Sequence, residues 1–92
     1  MKIIIVGSGK VGFTLAEQLV REQHDVTIVD LREESLRRAS DMLDVMVIHG
    51  NGVSTSTLRE AGADTADLLV AATNSDEVNM VCCLTAKNMG TG

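Results

Sequence analysis

Three glycines near the start of the chain have the spacing of a phosphate-binding loop. Gly7, Gly9 and Gly12 form G-x-G-x-x-G directly after the apolar run KIIIV. In this context the first glycine permits a tight turn, the second lets the backbone approach a pyrophosphate, and the third lets the following helix pack closely. N–H groups in the first turn of that helix point at the phosphates, helped by the positive end of its dipole. The predicted cofactor-binding residues of this loop are Gly7, Ser8, Gly9, Lys10, Val11 and Gly12.

An acidic residue follows at the distance that such a site requires. Asp30 ends a second apolar run, VTIVD, 18 residues after Gly12, close to the ~20 expected for the carboxylate that binds a ribose. With Leu31 beside it, Asp30 is predicted to hold the sugar. A carboxylate here repels a 2′-phosphate and favours NAD over NADP, a preference that Arg32 weakens. The alternative role of Asp30 is that of a strand-end or helix-capping carboxylate.

No residues have the spacing of a catalytic or metal site. His24 precedes a strand, at the wrong end of the predicted sheet, and His49 has no carboxylate partner. The serines lack a G-x-S-x-G motif or a base. Cys82 and Cys83 are sequence neighbours without C-x-x-C spacing, which favours an apolar role over redox or metal chemistry. We therefore expect no catalytic residue, no metal ligand and no enzyme activity.

Charge and composition exclude two classes of partner. The 92 residues have a net charge of −5, which disfavours nucleic-acid binding, a function that usually requires a basic surface. No apolar run approaches the ~18 residues of a membrane helix, and glycines interrupt the first run too early for a signal peptide. We therefore expect a cytosolic protein that does not insert into a membrane. With one aromatic residue and no proline, its core must be aliphatic.

Predicted strands and helices alternate along the chain. Val11, Leu15 and Leu19 have the spacing of an amphipathic helix after the first strand. Ser75 is a predicted helix N-cap, and Gly62 is a predicted left-handed C-cap. Strands are expected at residues 2–6, 26–30, 45–48 and 67–72, and helices at about 11–22, 33–43, 55–61 and 76–89.

This alternation predicts an α/β fold: a Rossmann-like, doubly wound parallel sheet of order 3-2-1-4 with helices on both faces. Ligands bind such sheets at the carboxyl ends of the strands. Asn51 and Gly52 follow strand 3, and Ala72, Thr73 and Asn74 follow strand 4, so these residues are binding candidates. Four strands are fewer than usual, and strand 4 would be an unprotected edge. We therefore expect residues 1–92 to be an incomplete part of a longer chain, or the edge to be covered by a second copy.

Four segments resemble one known family. They are MKIIIVGSGKVGFTLAEQL, VTIVD, VIHGNG and LREAGADTADLLVAATNSDEVNM. Together they resemble the nucleotide-binding N-terminal domain (RCK, KTN or TrkA-N) of Trk-type potassium-uptake regulatory proteins. The most telling part is residues 59–80, in which Asp76, Glu77 and Asn79 are much more specific than the glycines. The resemblance implies a cytoplasmic subunit at the inner face of the plasma membrane. It would bind NAD(H), or ATP and ADP, and signal the nucleotide state to an integral-membrane potassium transporter by rearranging a self-associated ring of domains.

The resemblance also assigns roles to residues. It implies that residues 7–11 hold the phosphates, Asp30 the adenosine ribose, Asn51 and Gly52 the adenine side, and residues 73–74 the phosphates or second ribose. Asn51 stands where many members have an acid or another polar residue, and Lys10 where some have Arg, so the choice of nucleotide stays open. The alternative is the N-terminal NAD-binding half of a malate- or lactate-type dehydrogenase, whose catalytic residues would lie beyond residue 92.

Overall fold

The computed structural model describes all 92 residues, in a parallel sheet of four strands with two helices on each face. The strands are β1 (Lys2–Val6), β2 (Asp25–Asp30), β3 (Met46–His49) and β4 (Leu68–Ala71), in the spatial order β3-β2-β1-β4. The helices are α1 (Lys10–Arg21), α2 (Glu33–Met42), α3 (Thr55–Ala61) and α4 (Asp76–Met89). The predicted fold class, element order and strand order are confirmed, and the element bounds agree to within one residue.

The central strand β1 is apolar throughout its middle because helices cover both of its faces. Ile3, Ile4 and Ile5 are all buried, the pattern expected for a strand inside a parallel sheet. Because side chains alternate along a strand, Ile3 and Ile5 pack with α1 and α2, whereas Ile4 packs with α3 and α4. Two aliphatic layers therefore hold the sheet between the helix pairs.

One residue of α1 does not follow the predicted pattern. Val11 was expected on the apolar face, but its side chain is 69% exposed. The buried stripe of α1 passes through Phe13, Ala16 and Val20. At 100° per residue, Val11 lies on the opposite side of the helix from this stripe. The apolar face therefore begins at Phe13, and the side chains of Lys10 and Val11 are left at the protein surface.

The helix ends explain where the chain turns. Ser54 and Ser75 cap α3 and α4 by accepting a hydrogen bond from a backbone N–H in the first turn. Gly62 ends α3 in the left-handed conformation at φ 91°, so both predicted caps are confirmed. α1 differs because Gly9 is its N-cap and supplies no side-chain acceptor. None of the four helices combines the length and apolarity needed to cross a membrane.

Candidate functional site

A cleft of about 230 Å³ opens at the carboxyl ends of the strands, between the glycine loop and the segments that follow β2, β3 and β4. Nine of the thirteen predicted site residues line it: Gly7, Gly9, Asp30, Leu31, Asn51, Gly52, Ala72, Thr73 and Asn74. Five other lining residues were not predicted as site residues: Val6, Val29, Arg32, Gly50 and Val78. The sheet topology therefore brings four separate segments of the chain to one place.

The other four predicted residues lie outside the cleft lining. Lys10 and Val11 have exposed side chains in the first turn of α1. Ser8 is buried beneath the loop, with 3% of its surface exposed. Gly12 packs against the loop, since a Cβ on it would overlap the carbonyl oxygen of Gly7. Any contact of the first-turn residues with a ligand is therefore limited to their backbone N–H groups, apart from the long Lys10 side chain.

These N–H groups form an open anion-binding corner. The first hydrogen bond of α1 runs from Phe13 N–H to the Gly9 carbonyl at 2.8 Å. The N–H groups that precede it, those of residues 9–12, have no acceptor within the protein. Unpaired N–H groups at a helix start carry partial positive charge and are satisfied by water or by an anion. This corner can therefore accept a phosphate without displacing any bond within the protein.

Gly7 and Gly9 are glycines for different structural reasons. Gly7 has φ 105°, and a Cβ there would come 2.7 Å from the Ala72 carbonyl oxygen, so this position requires glycine. A Cβ on Gly9 would approach only the Arg32 guanidinium, at 3.4 Å. Gly9 is therefore not needed for folding. Its missing side chain keeps the space in front of the helix start open.

Asp30 is held by three hydrogen bonds. Its Oδ2 accepts from the Ser8 N–H and the Ser8 hydroxyl, each at 2.7 Å, and its Oδ1 accepts from the Arg32 N–H at 2.8 Å. The Arg32 Nε lies 3.6 Å from the same Oδ1. Burial alone would raise the pKa of Asp30, but these hydrogen bonds and the Arg32 charge outweigh it and hold the pKa below its usual 3.8. Asp30 is therefore an ionised anchor of the glycine loop at neutral pH.

A second polar anchor fixes the segment after β4. The Asn79 side-chain oxygen accepts from the Thr73 N–H at 3.0 Å and from its hydroxyl at 2.6 Å, and the Asn79 amide donates to the Thr73 carbonyl at 3.2 Å. Thr73 has no donor left for a ligand. The exposed Asn74 side chain makes no hydrogen bond within the protein. Asn74, rather than Thr73, therefore has a side chain in this segment whose hydrogen-bonding groups are free for a ligand.

The opposite wall is formed by the segment after β3. The Asn51 side-chain oxygen accepts from the Val53 N–H at 3.0 Å, which closes a tight turn. A Cβ on Gly52 would overlap the Val6 side chain, so the backbone of this turn lies directly on the end of β1. His49 donates from Nε2 to the Leu31 carbonyl at 2.9 Å and thereby joins the segments after β2 and β3.

Residues typical of catalysis lie elsewhere or are paired. His24 contacts the terminal amine of Met1 at 3.2 Å, at the opposite edge of the sheet. Cys82 is buried, and this burial together with the neighbouring Cys83 raises the pKa of its thiol to about 11. No His, Cys, Asp and Glu side chains are grouped as a metal site would require. The chemistry that the cleft itself offers is anion and hydroxyl binding.

Fold and loop together define a Rossmann-like α/β domain. The family model described as the TrkA-N domain matches residues 3–91. The chain therefore belongs to the TrkA-N domain family, which confirms the resemblance seen in the sequence.

Relatives with curated names agree with this assignment. The Trk system potassium uptake protein TrkA of Vibrio alginolyticus is 52% identical over 86 residues, which are 94% of this chain and 19% of that protein. Its namesake from Halomonas elongata is 48% identical over 89 residues, 97% of this chain and 20% of that protein. The chain thus spans about a fifth of the length of these relatives.

Solved structures share the fold at low sequence identity. The TrkA-N domain of the inner membrane protein ybaL from Escherichia coli has a TM-score of 0.89 at 17% identity, over 97% of this chain and 65% of that one. The NAD(P)-binding domain of an exopolyphosphatase-related protein from Archaeoglobus fulgidus has a TM-score of 0.83 at 18% identity, over 97% of this chain and 66% of that one. At this low sequence identity, the two structures support the assignment of the fold and nothing further.

Proposed function

We propose that this chain is an adenine-nucleotide-binding domain of a regulatory potassium-uptake protein. The carrying observation is the row of unpaired N–H groups of residues 9–12 at the start of α1, beside a cleft that Gly9 and Asp30 both line. The expected ligands are NAD(H), or ATP and ADP. The regulatory protein would lie in the cytoplasm at the inner face of the plasma membrane, self-associate, and contact an integral-membrane potassium transporter. Neither nucleic acid nor the bilayer interior is a partner.

The lining residues support one orientation of the nucleotide. Its phosphates would accept hydrogen bonds from the N–H groups at the start of α1, and Arg32 would add positive charge beside Gly9. The adenosine ribose would lie at Asp30, and the adenine would lie toward Asn51 and Gly52. Asn74 would contact the phosphates or a second ribose from the far wall. This orientation uses the segments after all four strands.

Regulation requires more than tight binding. A nucleotide shifts a two-state assembly only if it binds the two states with different affinity. Because the cleft is built from loops that follow different strands, a change in its width would alter several ligand contacts together. This supports a sensing role in which nucleotide state is passed to the transporter through neighbouring domains.

The second candidate is the nucleotide-binding half of a dehydrogenase. The structural likeness includes oxidoreductases, such as a reductase from Escherichia coli with a TM-score of 0.77. The curated relatives are instead named as potassium uptake proteins. Hydride transfer to NAD by the full-length protein with 2-hydroxy acids would support the dehydrogenase, and nucleotide-dependent potassium uptake would support the regulator.

Calorimetric titration of the chain with ADP, ATP, NAD and NADH tests the binding proposal. Because the first three strands form the adenosine half of such sites, we expect ADP to bind within about tenfold of NAD. NAD binding more than a hundredfold tighter than ADP would contradict the proposed orientation. Failure of all four nucleotides to bind would overturn the function. Potassium uptake by the full-length protein with its transporter, with and without nucleotide, then tests coupling.

A further inference from the structure

The acceptor capacity of Asp30 is nearly used within the protein. An ionised carboxylate has about four lone-pair positions. Both positions of Oδ2 accept from Ser8, and one position of Oδ1 accepts from the Arg32 N–H. The remaining position of Oδ1 lies beside the Arg32 Nε, at 3.6 Å. A ribose offering two adjacent hydroxyl donors therefore finds one acceptor position and not two.

The Ser8 partners differ in how easily they can be replaced. The Ser8 N–H belongs to the backbone of the loop and is fixed by the Gly7 turn. The Ser8 hydroxyl is a side-chain donor that can rotate about a single bond, and it occupies the position a second ribose hydroxyl needs. Ser8 is 3% exposed, so the hydroxyl loses its only hydrogen-bond partner within the protein if it rotates away from Asp30.

We propose that Ser8 sets the ribose affinity of this cleft by competing, through its hydroxyl, with a ribose hydroxyl for Oδ2 of Asp30. The inference rests on the proposed nucleotide-binding function and adds a specificity-determining residue to it. Ser8 in this role does not contact the phosphates. It lowers the contribution of the sugar relative to that of the phosphates, so the cleft favours ligands through their phosphate groups.

Ser8→Ala removes the competing donor and leaves the loop N–H in place. We expect the variant to bind ADP about fivefold to tenfold more tightly than the original chain, the scale of one typical net hydrogen bond. Affinity for 2′,3′-dideoxy-ADP, which offers no ribose hydroxyl, should stay unchanged. Calorimetry with the two nucleotides measures both effects. Ser40→Ala, on the exposed face of α2, is the matched control and should change neither affinity.

The outcomes separate this inference from the proposed function. Equal changes in affinity for ADP and dideoxy-ADP, or weaker ADP binding by Ser8→Ala, would overturn the role of Ser8 while leaving nucleotide binding intact. Absence of ADP binding to both the original chain and the variant would overturn the proposed function and this inference with it. An NMR titration of the Asp30 carboxyl gives a ligand-free check: its pKa should rise in Ser8→Ala, and an unchanged pKa would refute the contact.

Discussion

Replacing Asp30 with alanine tests the anchor of the glycine loop. The substitution leaves three donors without their acceptor: the N–H and hydroxyl of Ser8 and the N–H of Arg32. A buried unsatisfied donor costs about 1–3 kcal/mol. Arg32 lies at the surface, where water replaces its partner, so the two buried Ser8 donors dominate. Since removing a buried carboxylate also relieves its desolvation, we expect the free energy of unfolding to fall by about 2–4 kcal/mol at neutral pH.

The same substitution has a defined pH dependence. The pKa of Asp30 is lower in the folded state than its usual 3.8, so the ionised carboxylate stabilises the fold above that value. This stabilisation is lost as the pH falls through the folded-state pKa. The difference in unfolding free energy between the original chain and Asp30→Ala should therefore be full at neutral pH and shrink on acidification below 3.8.

Urea unfolding followed by circular dichroism, at several pH values between about 7 and 3, measures this difference. Asp41→Ala, which removes an exposed carboxylate from α2, is the control and should change stability by less than about 0.5 kcal/mol. A similarly small effect of Asp30→Ala at neutral pH would refute the anchoring role. A difference that grows on acidification would refute the direction of the pKa shift.

Four further substitutions test the glycine loop and the anchor after β4. Gly9→Val should keep the fold, because its Cβ meets only the flexible end of Arg32. The variant should show no ADP binding in calorimetry, and retained affinity would mean that the loop is not part of the binding site. Gly7→Ala is the converse control and should destabilise the fold by its clash with Ala72. Asn79→Ala removes three hydrogen bonds to the segment after β4, so we expect unfolding free energy to fall by about 1–3 kcal/mol and ADP affinity to weaken; Asn79→Asp, which keeps the acceptor oxygen, should have a smaller effect on both.

The fold could be predicted from local patterns because each pattern has a local cause. The β-branched runs of β1 and β2 are buried on both faces. Each is therefore a continuous apolar run, the pattern typical of a strand inside a parallel sheet. Ser75 and Gly62 act on the backbone within a few residues of themselves. The glycine spacing predicted the loop, and the segments after β3 and β4 reached the cleft because parallel strands end at one edge. These features required no knowledge of side-chain orientation.

The polar anchors could not be predicted, because each depends on the orientation of a side chain in the folded protein. Ser8 was predicted as a phosphate-binding residue, but its hydroxyl turns inward to Asp30, 22 residues away. Thr73 was predicted to lie over the phosphates or the second ribose, and it lines the cleft, yet Asn79 uses its polar groups. Contact between a nucleotide and the predicted residues stays a prediction.

The position of β1 in the middle of the sheet has a consequence for the protein as it leaves the ribosome. β1 is made before the other three strands, but one of its neighbours is β4, and the backbone N–H of Lys2 donates to the Asp67 carboxylate 65 residues away. Such distant pairing is slow to form and exposes apolar strands meanwhile. The Gly7 turn also fits against Ala72. The domain therefore cannot complete its cleft until β4 has been synthesised, and until then the edge of β1 that pairs with β4 stays accessible to chaperones.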